Sequence, residues 1–126
     1  MSIISKDFLS VAENSLKMDD EAGYRSCISR SYYGLFHATL DMLRHCPDTT
    51  HAGLIDYLLV GKDRKGEPYK LMDLIKVGAV LKQQKTKRKI ADYDLNMDVP
   101  EMEARLSLRV SADLVEYIHK MKCSVL

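Results

Sequence analysis

The scarcity of chain breakers is the sequence feature that most constrains this fold. Six Gly and three Pro interrupt the 126 residues, and the stretches between them carry apolar residues at helical spacing. No run of β-branched residues alternates with polar ones in the way that predicts a strand. The sequence therefore predicts an all-α protein built from long helices.

Five helical stretches are predicted, and each has an apolar and a polar face. They cover residues 5–17, 20–45, 51–60, 69–89 and 100–121. Capping side chains are expected before the second, third and fifth stretches: Asp19 or Asp20, Thr49 or Thr50, and Asp98 with Glu101 as a capping box. Isolated helices of this length are not stable in water, so the apolar faces must meet. We expect one domain over residues 1–126, a four- or five-helix up-and-down bundle.

The charge balance restricts the kind of partner. Lys and Arg number 19 against 18 Asp and Glu, which argues against nucleic-acid binding by bulk electrostatics alone. One basic cluster remains, at residues 82–89. It either follows an RNA backbone or complements the helix dipole in the last turns of the fourth helix.

Cysteine usage and hydropathy predict a cytoplasmic protein. The three Cys are odd in number and form no Cys-x-x-Cys pair, which favours reduced thiols. No leader-like start and no membrane-length apolar run are present. The Cys and His spacing does not match a zinc site, so we expect no metal, no cofactor and no membrane contact.

The second helix carries a polar stripe that could perform chemistry. Arg30 and His37 lie on this stripe two turns apart, about 10 Å along the axis, and Tyr33 lies at its edge. Both side chains could converge on one small anion, with Arg30 holding a phosphate and His37 moving a proton. The alternative is that they pack and hydrogen-bond between helices.

Two further features concern packing. Arg25 falls inside the apolar arc of the second helix, so it needs a partner. Asp92 is the first choice, and another acidic residue is the alternative. The fifth helix has a main apolar face made of Met102, Leu106, Val110, Leu114, Tyr117, Ile118 and Met121. Its second apolar stripe is Ala104, Leu108 and Val115. The second stripe is more than a monomeric bundle needs, and it predicts a homodimer.

Two segments resemble a known family. The run from Arg25 to His37, Arg-Ser-Cys-Ile-Ser-Arg-Ser-Tyr-Tyr-Gly-Leu-Phe-His, resembles the signature second helix of a HEPN subfamily. The segment Arg88-Lys-Ile-Ala-Asp-Tyr93 resembles its second signature, and His51-Ala-Gly-Leu is also similar. The resemblance covers residues 5 to 120 and implies a four- or five-helix bundle that dimerises.

The resemblance implies two functions. Many HEPN proteins are metal-independent endoribonucleases that act as toxins or defence effectors, often beside a nucleotidyltransferase antitoxin. Others are non-catalytic modules that bind a nucleotidyltransferase or another protein. Active members usually carry an Arg-x4-6-His motif on a late helix, but neither Arg105 nor Arg109 has that spacing to His119.

The motif spacing occurs elsewhere in the chain. It occurs between Arg30 and His37, which are the candidate catalytic residues, and again between Arg44 and His51, where Pro47 makes the geometry unpredictable. A second group of residues is expected to bind a ligand or to form a structural network: Arg25, Tyr32, Tyr33, Arg88, Asp92 and Tyr93. Tyr32 and Tyr33 are either core aromatics or a base-stacking platform. Arg88 and Asp92 have ion-pair spacing on a helix.

Overall fold

The computed structural model describes residues 4–47 and 50–126, and this part of the chain is helical without any strand. Five α-helices and one short 3-10 helix follow in order: α1 (Ser5–Leu16), α2 (Glu21–Met42), α3 (His51–Val60), the 3-10 helix (Lys62–Gly66), α4 (Leu71–Tyr93) and α5 (Glu101–Ser124). The all-α prediction is confirmed.

A side chain caps the start of the helix at two of the three places where a cap is predicted. Asp20 accepts a hydrogen bond from the Gly23 N–H at 2.7 Å, and Thr50 accepts one from the Gly53 N–H at 3.0 Å. Thr49, the alternative cap of α3, lies outside the described residues. The capping box at α5 is wrong because Pro100 occupies the cap position and no side chain caps this helix.

Helix α2 is the centre of the bundle and contacts α1, α4 and α5. Most of its predicted apolar arc is buried, with Tyr32, Leu35 and Thr39 fully inaccessible and Leu40 and Leu43 half-buried. The opposite side is also covered, since Cys27 and Ser31 are fully buried as well. Only a narrow stripe of α2 therefore reaches solvent.

Helix α5 buries the second half of its predicted main face, where Leu114, Ile118 and Met121 lie in the core as predicted. The first half of the helix differs from the prediction. Ala104 and Val115 of the supposed second stripe are buried, whereas Met102 and Leu106 of the supposed main face are 78% and 48% exposed. Small residues explain the difference in the first half, because Ala104 and the buried Ser111 let α5 approach its neighbours closely. The stripe that motivated the homodimer packs inside the fold, with Leu108 half-buried, and the homodimer loses that support.

Helix α4 continues past the predicted end at Lys89 to Tyr93. It packs closely on α3 at Gly78, where a Cβ atom would lie 2.9 Å from the Leu58 Cβ. Since no basic residue stands in the last turn of α4, the cluster at residues 82–89 lies within the helix. The explanation of that cluster by the helix dipole is therefore wrong.

Candidate functional site

Aromatic and cationic side chains meet where α2, the start of α3 and the second half of α4 come together. We call this group the His51 cluster; its members are Tyr32, Tyr33, Phe36, His51 and Arg88. Tyr32 and Phe36 project from the buried arc of α2, His51 is the first residue of α3, and Arg88 reaches the group from α4.

The imidazole of His51 is held by aromatic rings. It stacks on Phe36 at 4.3 Å between ring centroids and on Tyr32 at 5.4 Å, while Tyr33 meets it edge-on at 5.8 Å. The Tyr32 hydroxyl lies 2.6 Å from His51 Nδ1. The direction of this hydrogen bond depends on the tautomer, but in either tautomer Nδ1 is engaged and Nε2 is the nitrogen left for chemistry.

The surroundings of His51 favour its neutral form. Burial lowers the pKa of His51 below its ordinary value of 6.5, and the positive charges of Arg88 and Lys85 lower it further. The ring is only half-buried, so it stays accessible. A neutral, accessible imidazole is able to accept a proton at neutral pH.

Arg88 is a buried cation with incomplete compensation. The residue is 7% exposed, and its nearest carboxylate, Asp92, lies 3.6 Å away. Its guanidinium faces the rings of Tyr32, Tyr33 and Tyr93 at 5.4, 5.7 and 5.8 Å. Its Nε is buried without a hydrogen-bond acceptor. Because a buried donor without an acceptor is costly, this guanidinium is suited to receive an anion.

A basic groove opens beside the cluster, between α3 and α4. Its volume is about 250 Å³, and it is lined by Ala52, Ile55, Asp56, Lys82, Lys85, Thr86 and Lys89. Ala52 follows His51 directly, and Lys85 acts electrostatically on His51. The groove and the His51 cluster are thus neighbouring parts of one surface.

Five of the six predicted network residues come together. Tyr32, Tyr33 and Arg88 belong to the His51 cluster, while Asp92 pairs with Arg88 and also accepts a hydrogen bond from Ser29 at 3.2 Å. Tyr93 covers Arg88 from a position that is 74% exposed. The two signature segments therefore meet in space.

Arg25 lies apart from this group, and its predicted pairing with Asp92 is wrong. Its guanidinium donates to the carbonyls of Ile90, Ala91 and Asp94 at 3.1, 3.0 and 3.0 Å, and also to that of Met97. Its carboxylate partner is Glu21, at 3.5 Å. The side chain is half-buried, with 11% exposed, which agrees with its predicted inward position, and it satisfies carbonyls at the end of α4.

Arg30 and His37 are both exposed. The ring of His37 stacks on Phe8 of α1 at 4.9 Å and meets Phe36 edge-on at 5.4 Å. Within residues 4–47 and 50–126, Arg30 forms no hydrogen bond or ion pair, and no contact joins it to His37. Their convergence on an anion stays a prediction.

Sequence reasoning missed His51 and Lys85 as site residues. The signals for His51 were its place in the segment His51-Ala-Gly-Leu and its spacing to Arg44. That second signal is misleading, since Arg44 is exposed and its backbone N–H donates to Glu67 at 2.8 Å. Lys85 was visible only as a member of the basic cluster.

The described residues hold no group of three or more His, Cys, Asp or Glu side chains arranged to bind a metal ion. None of the helices in the described part is both long and apolar enough to cross a membrane. Comparison of the chain with protein-family models, curated proteins and solved structures finds no match. The similarity to HEPN proteins therefore stays a prediction from the sequence motifs.

Proposed function

We propose that this chain is a metal-independent endoribonuclease in which His51 accepts the proton of the attacking hydroxyl. Arg88 and Lys85 would hold the scissile phosphate. The observation that carries the proposal is the placement of a neutral, aromatic-held imidazole beside a buried guanidinium whose Nε lacks an acceptor. By its HEPN resemblance, such an enzyme would act as a toxin or defence effector.

RNA is the substrate that this set of side chains suits best, because RNA carries its own nucleophile. A base and phosphate-binding cations are then sufficient for cleavage. In the Nδ1–H tautomer, His51 donates to the Tyr32 oxygen, and Nε2 keeps a lone pair. Nε2 takes the proton of the 2′-hydroxyl, the 2′-oxygen attacks phosphorus, and the bond to the 5′-oxygen breaks. The 5′-oxygen is protonated from solvent, which leaves a 2′,3′-cyclic phosphate and a 5′-hydroxyl.

The assignment to His51 competes with the sequence-based assignment to Arg30 and His37. His51 has its orientation fixed by Tyr32 and its pKa lowered by burial and by nearby cations. His37 does not take part in that hydrogen bond with Tyr32. It lies on the exposed stripe of α2, where its ring stacks on Phe8. The two assignments predict different responses to mutation.

A cleavage assay on a mixed-sequence RNA in EDTA tests the proposal. We expect His51→Ala to lower the rate by about 10²-fold or more, and Arg88→Lys to lower it because lysine lacks the planar fork. The matched control is His119→Ala, which removes an exposed histidine of α5 and should not change the rate. Each variant should keep the wild-type helical circular dichroism.

The outcome for His37→Ala decides between the two histidines. If His37→Ala abolishes cleavage and a folded His51→Ala does not, then the Arg30 and His37 assignment is right and ours is wrong. If wild type cuts no RNA under any condition, the enzymatic proposal fails.

A second candidate function is a non-catalytic protein-binding module. The observation that favours it is an exposed apolar surface at the start of α5, where Met102 is 78% and Leu106 is 48% exposed one turn apart. Leu95 and Met97, just before α5, are 79% and 48% exposed. Such a surface suits a second copy of the chain, or a protein such as a nucleotidyltransferase antitoxin.

A further inference from the structure

We infer that the groove between α3 and α4 is a subsite for the backbone phosphates next to the one at His51. This inference rests on the proposed function. It adds the position of the RNA strand beyond the scissile phosphate. Its ligand is the sugar–phosphate backbone of a single-stranded oligonucleotide, bound by Lys82, Lys85 and Lys89.

The three lysines form a continuous cationic edge. They follow one another at three and four positions along α4, so they share one face of the helix. The first and last are separated by about 10 Å along the axis, which is longer than one phosphate group. Of the three lysines, Lys85 is the one whose charge lowers the pKa of His51.

The protein compensates the positive charges in the groove only in part. Within the described residues, no carboxylate forms a salt bridge with Lys82, Lys85 or Lys89. Asp56 is the acidic residue that lines the groove. Burial and the charges of Lys89 and Arg88 lower the pKa of Lys85, and the charge of Asp56 offsets this only partly. A bound anion would relieve this crowding of positive charge.

The first turn of α3 adds to the attraction. This helix begins at His51, and Ala52 lines the groove, so the positive end of the helix dipole lies at the groove. The neighbouring Arg88 adds its positive charge, which acts on Lys85. Cations and dipole therefore act on the same region.

The size of the groove indicates which part of the nucleic acid it holds. A volume of about 250 Å³ is below the usual range of pockets that enclose a small molecule, about 300–1,000 Å³. The lining has cationic tips and few groups that could read a base edge. We therefore expect contact with phosphates and little dependence of affinity on base sequence.

Binding of 2′-O-methyl oligonucleotides tests the groove separately from cleavage, because the methyl group blocks the nucleophile. The measurement is the dissociation constant of a labelled hexamer at several salt concentrations. For Lys82→Gln/Lys89→Gln we expect about tenfold weaker binding. The plot of the logarithm of the association constant against the logarithm of the salt concentration has a negative slope. The magnitude of this slope should decrease by about 1.4, at about 0.7 per lost phosphate contact on a single strand.

The matched control is Lys17→Gln/Lys120→Gln, which removes two exposed lysines from other elements and changes the net charge equally. It should leave the slope unchanged. A 2′-O-methyl mononucleotide should bind much more weakly than the hexamer, because it cannot occupy the subsite and the His51 cluster together.

The outcomes separate the two proposals. If the groove variant and the control have the same slope, the groove is not a phosphate subsite, even if wild type cleaves RNA. If the slope falls as expected while unmodified RNA is never cut, the subsite stands and the endoribonuclease proposal fails.

Discussion

The hydroxyl of Tyr32 lies 2.6 Å from Nδ1 of His51, and this bond joins the middle of α2 to the first residue of α3. Tyr32 is fully buried, so the packed core fixes the position of its hydroxyl. Burial also raises the pKa of Tyr32, which keeps the hydroxyl protonated. The orientation of His51 is thus set by the core of the bundle.

Removal of this hydroxyl should impair cleavage more than folding. Tyr32→Phe keeps the ring that stacks on His51 but leaves Nδ1 without its partner. We expect about tenfold slower RNA cleavage and a loss of about 1 kcal/mol in the free energy of unfolding. Tyr57→Phe is the control, since it removes a 2.6 Å hydrogen bond to Glu67 away from His51. Equal rates for Tyr32→Phe and wild type would mean that this bond does not orient a reacting group.

The lowered pKa of His51 determines how activity and stability depend on pH. The acidic limb of the cleavage profile should have its midpoint below 6.5, the ordinary value for histidine, because neutral His51 is the reactive form. Below 6.5 the unfolded chain binds a proton at this residue more readily than the folded chain does. The contribution of His51 to stability is therefore complete above pH 6.5 and is lost as the pH falls towards its folded pKa.

Thermal unfolding between pH 5 and pH 8 measures this linkage. The melting temperature of wild type should fall more on acidification than that of His51→Gln, which has no titrating group at the position. Parallel curves for the two proteins would contradict the assigned direction of the pKa shift.

Arg25 should be important for stability and not for chemistry. Arg25→Ala removes the donors for carbonyls of Ile90, Ala91 and Asp94. We expect a loss of about 2–4 kcal/mol in the free energy of unfolding. Arg109→Ala is the control, because its ion pair with Asp113 is exposed, at 83% and 78%, and should contribute little. Urea unfolding measures both, and a loss below about 0.5 kcal/mol for Arg25→Ala would contradict its role as an α4 cap.

Gly78 should control the position of α3. A Cβ atom there would lie 2.9 Å from Leu58 Cβ and 3.0 Å from Leu59 Cδ2, so Gly78→Ala must displace α3 or strain it. We expect a loss of about 1–3 kcal/mol and slower cleavage, since His51 begins α3. At an unobstructed helical position the same change would stabilise by about 1 kcal/mol. A stabilised, fully active variant would show that α3 adjusts freely.

The sequence by itself determined the helices. Scarce Gly and Pro left long periodic segments, and local capping by Asp20 and Thr50 set the starts of α2 and α3. These features depend on neighbours within a few residues along the chain, so they can be predicted without knowledge of the fold. The burial of Tyr32 followed from the same periodicity.

Only the tertiary structure decided which side chains meet. His51 and Tyr32 are far apart along the chain, and their contact depends on how α3 packs against α2 and α4. In the first half of α5 the buried side was likewise decided by packing, because Ala104 and the small serines allow a close approach that hydrophobicity alone does not predict. The position of Arg25 on the apolar arc of α2 predicts that its side chain points inward. Its hydrogen-bond partners could not be predicted, because the carbonyls of Ala91 and Asp94 come within reach only when the end of α4 packs beside α2. Helical periodicity is a local property, whereas the partners of a side chain are fixed by the packing of distant segments.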